Sequence, residues 1–251
     1  MNDDIGNWTD VTIGDHTAHR FEPLKRNEHG YVLIYLHGVH QGKLHDKPEF
    51  IEQLEKFGLP VIAPLTRRSW WTDRICAEFD PAISAQDYVM QQVVPYIERE
   101  FQVTAPKIAL LGTSMGGQGA LRLSYKFPDT FPVVAGISPA IDYQNWMRQQ
   151  EDSPLWQMYD SPEQARQDSA TLHIHPLNWP RNQFFCCCPE DTDWWDSADR
   201  LRMKLYSLGV PHECELETKG GGHGFPYYNI MAERAIQFLW DSLEKERRRV
   251  V

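Results

Sequence analysis

Lys107-Ile108-Ala109-Leu110-Leu111-Gly112-Thr113-Ser114-Met115-Gly116-Gly117 is the stretch that decides the fold. It opens as a short apolar run suited to a buried parallel strand. The next five residues, Gly112-Thr113-Ser114-Met115-Gly116, read G-x-S-x-G. From Gly117 through Ala120, Leu121 and Tyr125 the spacing turns helical, and it stops at Phe127-Pro128. Strand, tight turn and helix in direct succession place a serine on a sharp turn with its hydroxyl exposed. Small residues at 112, 116 and 117 let the backbone turn and the helix lie close to the strand. An ordinary glycine-rich turn carries the same letters; the flanking strand and helix set this one apart.

The alternation extends outward in both directions. Residues 31–36 read as a buried strand, and residues 47–57 as a helix with Phe50, Leu54 and Phe57 on one face and Gly58 as its stop. Residues 60–64 form a short strand, and 84–101 a long helix that Pro95 is expected to kink. Strands follow at 131–137, 184–188 and 212–217. Ser197 is placed as the cap of a helix carrying Ala198, Leu201, Leu205 and Leu208 inward, and Asn229 as the start of the last helix. Residues 7–23 suggest an antiparallel edge hairpin. The fold class is α/β: a doubly wound, mostly parallel sheet, with residues 1–251 as a single domain.

Residues 141–182 break the pattern. They are polar, with Trp146, Trp156 and Trp179 among them. A small helical cap insertion above the C-terminal edge of the sheet is expected, where ligands bind in such folds. A helical excursion away from any ligand is the alternative.

Composition narrows the partners. Lys plus Arg number 25 and Asp plus Glu 35, a net charge of −10. That balance disfavours nucleic acid and anionic membrane surfaces. The acidic start Met1-Asn2-Asp3-Asp4 does not read as a signal peptide. No apolar run approaches the roughly 20 residues that span a bilayer. Five cysteines, three of them consecutive at 186–188, make an awkward disulfide framework and fit reduced thiols in the cytoplasm. Adjacent strand residues point to opposite faces, so the triplet suits core filling better than metal binding. Oligomeric state is not legible.

A serine nucleophile needs a base, and the base an orienting acid. His223 sits among glycines in Gly220-Gly221-Gly222-His223-Gly224, after the last strand and before the last helix. That loop is free to carry an imidazole toward Ser114. The acid belongs after the strand that ends near Cys188, where Glu190, Asp191, Asp193 and Asp196 compete. Asp191 is nearest the strand end and is preferred; Asp193 is second. Two backbone N–H groups must face the developing oxyanion. Met115, after the serine, supplies one; Val39, in Leu36-His37-Gly38-Val39-His40, supplies the other. A metal site at His37, His40 and His45 finds no supporting motif. His40, Trp70, Trp71 and Gln118 are placed at the substrate pocket, with Trp146 and Trp156 as further aromatic walls.

These residues resemble the α/β-hydrolase superfamily, and within it the putative-esterase group that includes esterase D, S-formylglutathione hydrolases and feruloyl esterases. The similarity rests on Tyr35-Leu36-His37-Gly38, on residues 112–121, on Ser138-Pro139-Ala140 and on residues 221–228, in the group's order. The group's acid commonly follows a Gly-x-x-Asp pattern; here Cys188-Pro189-Glu190-Asp191 lacks the glycine but keeps the spacing. The resemblance implies hydrolysis of a small-molecule carboxylic ester through a Ser-His-Asp triad and an acyl-enzyme, with no cofactor. A thioesterase or acyltransferase would use the same triad. A serine peptidase is disfavoured because such enzymes often carry an extra domain, and a catalytically inert binding module because the full set of reactive residues is present.

Overall fold

Among the described residues, 5–249 of the computed structural model, eight strands form one sheet. β1 (Asn7–Ile13) and β2 (His16–Glu22) make the expected hairpin, and β2 pairs antiparallel with β4 (Val61–Pro64). β3 (Val32–Leu36), β5 (Ile108–Thr113), β6 (Val133–Ile137), β7 (Asn182–Cys186) and β8 (Glu213–Glu215) complete a parallel array. The order across the sheet is β1-β2-β4-β3-β5-β6-β7-β8. The order in which strands are added reverses at β3, with β4 on one side and β5 on the other, so the loops after β3 and β5 diverge there and leave a crevice at their C-terminal ends.

The central strands β3, β5 and β6 are buried along their whole length because both faces are covered. Successive side chains alternate: Val32, Ile34 and Leu36 enter one core layer, Leu33 and Tyr35 the other. The first layer is closed by α2 (Ala85–Tyr88), α3 (Val94–Phe101), α4 (Met115–Lys126) and α8 (Trp195–Ser207). The second is closed by α1 (Pro48–Lys56) and α9 (Phe225–Arg247).

Several boundaries differ from expectation. The expected 84–101 helix is not one continuous α-helix: a π-helical turn, Val89–Val93, joins α2 to α3. Proline lacks the N–H and crowds the carbonyl of the preceding turn, and a wider turn just before Pro95 relieves both. β7 starts two residues earlier than expected, and Cys187 and Cys188 are buried in the loop beyond it. Ser197 lies inside the first turn of α8, where its hydroxyl donates to the Trp194 carbonyl at 2.8 Å. α9 begins at Phe225 rather than Asn229, with Pro226 in its first turn.

The 141–182 segment folds as α5 (Tyr143–Gln149), α6 (Leu155–Met158), α7 (Pro162–Gln167) and a 3-10 turn, Ala170–His173. It is fastened to α4 by the fully buried Arg122. The Arg122 guanidinium donates to the Asp168 carboxylate and, at 3.0 Å, to its carbonyl; it also donates to Gln86 Oε1 at 2.9 Å. Tyr159 Oη donates to Asp168 Oδ2 at 2.6 Å, and His173 Nε2 lies 2.8 Å from Oδ1. Burial pushes the Asp168 carboxyl up, but His173, Arg122 and Tyr159 outweigh it and hold the group well below the usual carboxylate range. Asp73 lies 3.2 Å from the same guanidinium but is partly exposed, so removing Asp168 leaves Arg122 without its buried partner. Asp168→Ala is therefore expected to destabilise the fold by about 3–5 kcal/mol in urea melts. A loss below about 1 kcal/mol, the level of an exposed pair, would show that Arg122 is not held this way.

Candidate active site

β5 ends at Thr113 and α4 starts at Met115, so Ser114 alone makes the turn, at φ 55° and ψ −120°. That left-handed backbone is strained for a residue with a Cβ. Three bonds hold it: the Ser114 N–H donates to Ile137 O, and its carbonyl accepts from Gln118 and Ala140 N–H, each at 3.0 Å. The glycines at either side are required by space. A Cβ on Gly112 would meet Gly116 O at 2.0 Å, and one on Gly116 would meet Leu36 O at 1.8 Å.

Ser114 Oγ lies 2.8 Å from His223 Nε2. His223 Nδ1 lies 2.6 Å from Asp191 Oδ2. A carboxylate can only accept, so Nδ1 carries the proton and Nε2 faces the serine as an acceptor. Asp191 is 2 % exposed; its Oδ1 accepts the Trp194 N–H at 3.3 Å, and the Cys187 thiol points at Oδ2 from 3.6 Å. Asp191 thus sits where the preferred acid was expected. Asp193 faces the cavity instead.

The two amides expected to face an oxyanion, those of Met115 and Val39, are set by the backbone. Met115 opens α4, so its N–H has no acceptor within the helix. Across the site, Thr66 N–H donates to His37 Nε2 at 3.0 Å, which leaves His37 Nδ1 to donate to Gly38 O at 2.8 Å. Gln41 N–H also donates to that carbonyl, at 2.9 Å. Because O and H are opposed across a trans peptide, tying back Gly38 O turns the Val39 N–H the other way. Burial lowers the His37 imidazole to about 4, so it stays neutral in this role.

A cavity of about 310 Å³ opens above Ser114, walled by Val39, His40, Trp70, Trp146, Trp194 and Phe225. A second space of about 260 Å³ shares Val39, His40, Trp70 and Trp146, and adds Arg68, Gln150, Asp152 and Ser153.

Residues 22–228 match the family model described as "Putative esterase". The chain belongs to the Putative esterase family. It is an ester-hydrolysing enzyme. No curated protein matches the sequence. Among solved structures, FphF, a fluorophosphonate-binding serine hydrolase of Staphylococcus aureus, superposes with TM-score 0.73 at 18% identity, covering 94% of this chain and 98% of its own. An S-formylglutathione hydrolase from Agrobacterium tumefaciens gives 0.74 at 14% identity, covering 95% and 94%. A ferulic acid esterase gives 0.71 at 15% identity, covering 94% and 98%. At these identities the likeness establishes the α/β-hydrolase fold.

Three pocket expectations for this esterase are corrected. Trp71 is fully buried beneath the site, its indole N–H donating to His37 O at 3.1 Å; its ring fills the space against Gly119. Gln118 is fully buried too, bridging Trp70 O at 3.3 Å and Ala170 N–H at 3.0 Å, so it braces the wall rather than lining it. Trp156 is 44% exposed and donates to Gln150 O. His40, Trp70 and Trp146 do line the cavity. Sequence reading missed Trp194, Phe225 and Tyr228. The latter two sit in the first turn of α9, which Pro226 could have signalled. Among the described residues no group of three or more His, Cys, Asp or Glu is placed to hold a metal ion. No helix there is long and apolar enough to cross a membrane.

His37 gives a pH signature. Its native value, about 4, lies below the ordinary 6.5, so between those limits the unfolded chain binds a proton that the native one refuses. Its contribution is complete above pH 6.5 and is lost as pH falls toward about 4. Urea melts across this window should therefore show a steeper loss of stability for the wild type than for His37→Gln. Parallel curves would contradict a buried neutral His37.

Proposed function

We propose that this enzyme cleaves carboxylic esters through an acyl-enzyme on Ser114. The observation that carries the reading is the unbroken hydrogen-bonded chain Asp191–His223–Ser114 at 2.6 and 2.8 Å, opening into an aromatic cavity. His223 takes the serine proton as Oγ attacks the ester carbonyl. Asp191 fixes the imidazole tautomer and stabilises the imidazolium that forms. The N–H groups of Met115 and Val39 receive the oxyanion. The tetrahedral intermediate collapses, His223 protonates the leaving alcohol, and the acyl group remains on Oγ. Water, activated by the same imidazole, then releases the acid.

The ester is proposed to be a small molecule. Trp70, Trp146, Trp194 and Phe225 offer flat apolar faces beside Ser114, which suits an aromatic or short acyl group. The neighbouring space, with Arg68, Gln150, Asp152 and Ser153, suits a polar remainder. The segment bearing Trp146 acts as a cap in this reading. Its role is to wall the cavity rather than to swing over it, which the Arg122–Asp168 anchor supports.

Hydrolysis of p-nitrophenyl acetate by charge-neutral variants tests the assignment. Asp191→Asn is expected to lower kcat by about 10⁴-fold, the scale set when a triad acid loses its charge. Asp193→Asn should leave kcat near wild type and alter KM at most. The reverse pattern would move the acid to Asp193. Undiminished turnover in both would overturn the triad.

A further inference from the structure

The triad leaves one group at the reaction centre without a role. Tyr228 Oη lies 3.0 Å from His223 Nε2, the atom that faces Ser114 Oγ. The two rings meet edge to face, at 90° with centroids 5.7 Å apart. The Ser114 hydroxyl bonds the same nitrogen at 2.8 Å. Two hydroxyls, those of Ser114 and Tyr228, therefore converge on Nε2.

That nitrogen is over-supplied with donors. With Nδ1 protonated toward Asp191, Nε2 has one lone pair, and two O–H groups are within reach of it. The phenol does not resolve the conflict by ionising. Burial pushes it far above its ordinary value, so it remains an O–H donor at any working pH. The groups facing it are Asp191, Cys187 and Tyr35, with Asp193 and His40 farther out along the cavity wall. Nor can the ring move aside: Tyr228 is 4% exposed in the first turns of α9, and Phe225 packs on it at 5.3 Å.

We propose that Tyr228 is a further catalytic residue, whose hydroxyl donates to Ser114 Oγ while that oxygen carries charge. This rests on the triad reading. As Oγ attacks, its proton moves to Nε2, and the lone pair that both donors shared is gone. The acceptor left within reach of Tyr228 O–H is Oγ. The phenol keeps its own proton throughout; only its acceptor changes, from Nε2 in the resting enzyme to Oγ in the transition state. The same bond assists deacylation, when water has added and the Oγ–acyl bond breaks. Oγ leaves with the electron pair and takes its proton back from Nε2. An interaction that competes for the base at rest and stabilises charge in the transition state raises kcat rather than tightening binding.

Tyr228→Phe removes one oxygen from a buried ring and keeps the packing. The neighbouring Tyr227→Phe serves as the control. Tyr227 is equally buried on α9, and its hydroxyl has no partner among the described residues. The measurement is kcat and KM for p-nitrophenyl acetate across pH, with thermal melting of each variant. Tyr228→Phe is expected to lower kcat by about 10- to 100-fold, the worth of a hydrogen bond to a charged group, with KM little changed. Loss of a donor to the neutral imidazole should also move the acid limb of kcat/KM to higher pH. Tyr227→Phe should do neither. Unchanged kcat and pH profile in a folded Tyr228→Phe would overturn the proposal. So would an equal loss in Tyr227→Phe, which would mark both as packing. A Ser114→Ala variant run alongside separates the levels: turnover surviving there would sink the triad itself, whatever Tyr228 does.

Discussion

The site depends on how closely two pieces of backbone approach. Gly116 at the start of α4 lies against the Leu36 carbonyl at the end of β3, leaving no room for a side chain. Gly112 is pressed against Gly116 in the same way. This contact sets α4 directly over the strand ends. The chain must then reverse within one residue, and Ser114 takes a backbone conformation that is costly for it. The strain is held by three backbone hydrogen bonds, from β6, from α4 and from the loop at Ala140. The hydroxyl is thereby fixed at the crevice where the sheet order reverses.

The same approach positions the other half of the site. Leu36 leads directly into His37 and Gly38, and a Cβ on Gly38 would meet Ser114 Cβ at 3.1 Å. His37 is buried under this loop with both ring nitrogens committed, one to Thr66 and one to Gly38. Trp71 closes the space beneath by bonding His37 O. Trp71, expected at the pocket, and His37, weighed as a metal ligand, are thus both part of the frame that aims the Val39 amide. On the far side, Arg122 carries the anchoring outward from α4 to the segment that supplies Trp146.

The sheet was legible because its strands are buried on both faces and read as unbroken apolar runs. The candidate serine and histidine were legible because their turns carry glycine. The preference for Asp191 over Asp193 came from distance to the strand end, and the short tether from Cys188 brings Asp191 under the imidazole. Other features were hidden for physical reasons. The start of α9 was placed late because Gly224-Phe225-Pro226 reads as loop, although proline suits a first helical turn. That error concealed Phe225 and Tyr228. Trp71 and Gln118 have the composition of pocket residues; only the packing of Gly119 against the indole and the bond from Ala170 place them behind the wall. Pro95 signalled an irregularity in its helix, and the structure places a π-helical turn just before it.

The central claim is that the strained serine is the atom that attacks. Incubation with a fluorophosphonate, followed by intact mass and peptide mapping, tests it most directly. The account predicts one adduct, on the peptide carrying Ser114, absent from Ser114→Ala together with ester turnover. An adduct on any other residue, or hydrolysis that survives in folded Ser114→Ala, would contradict it.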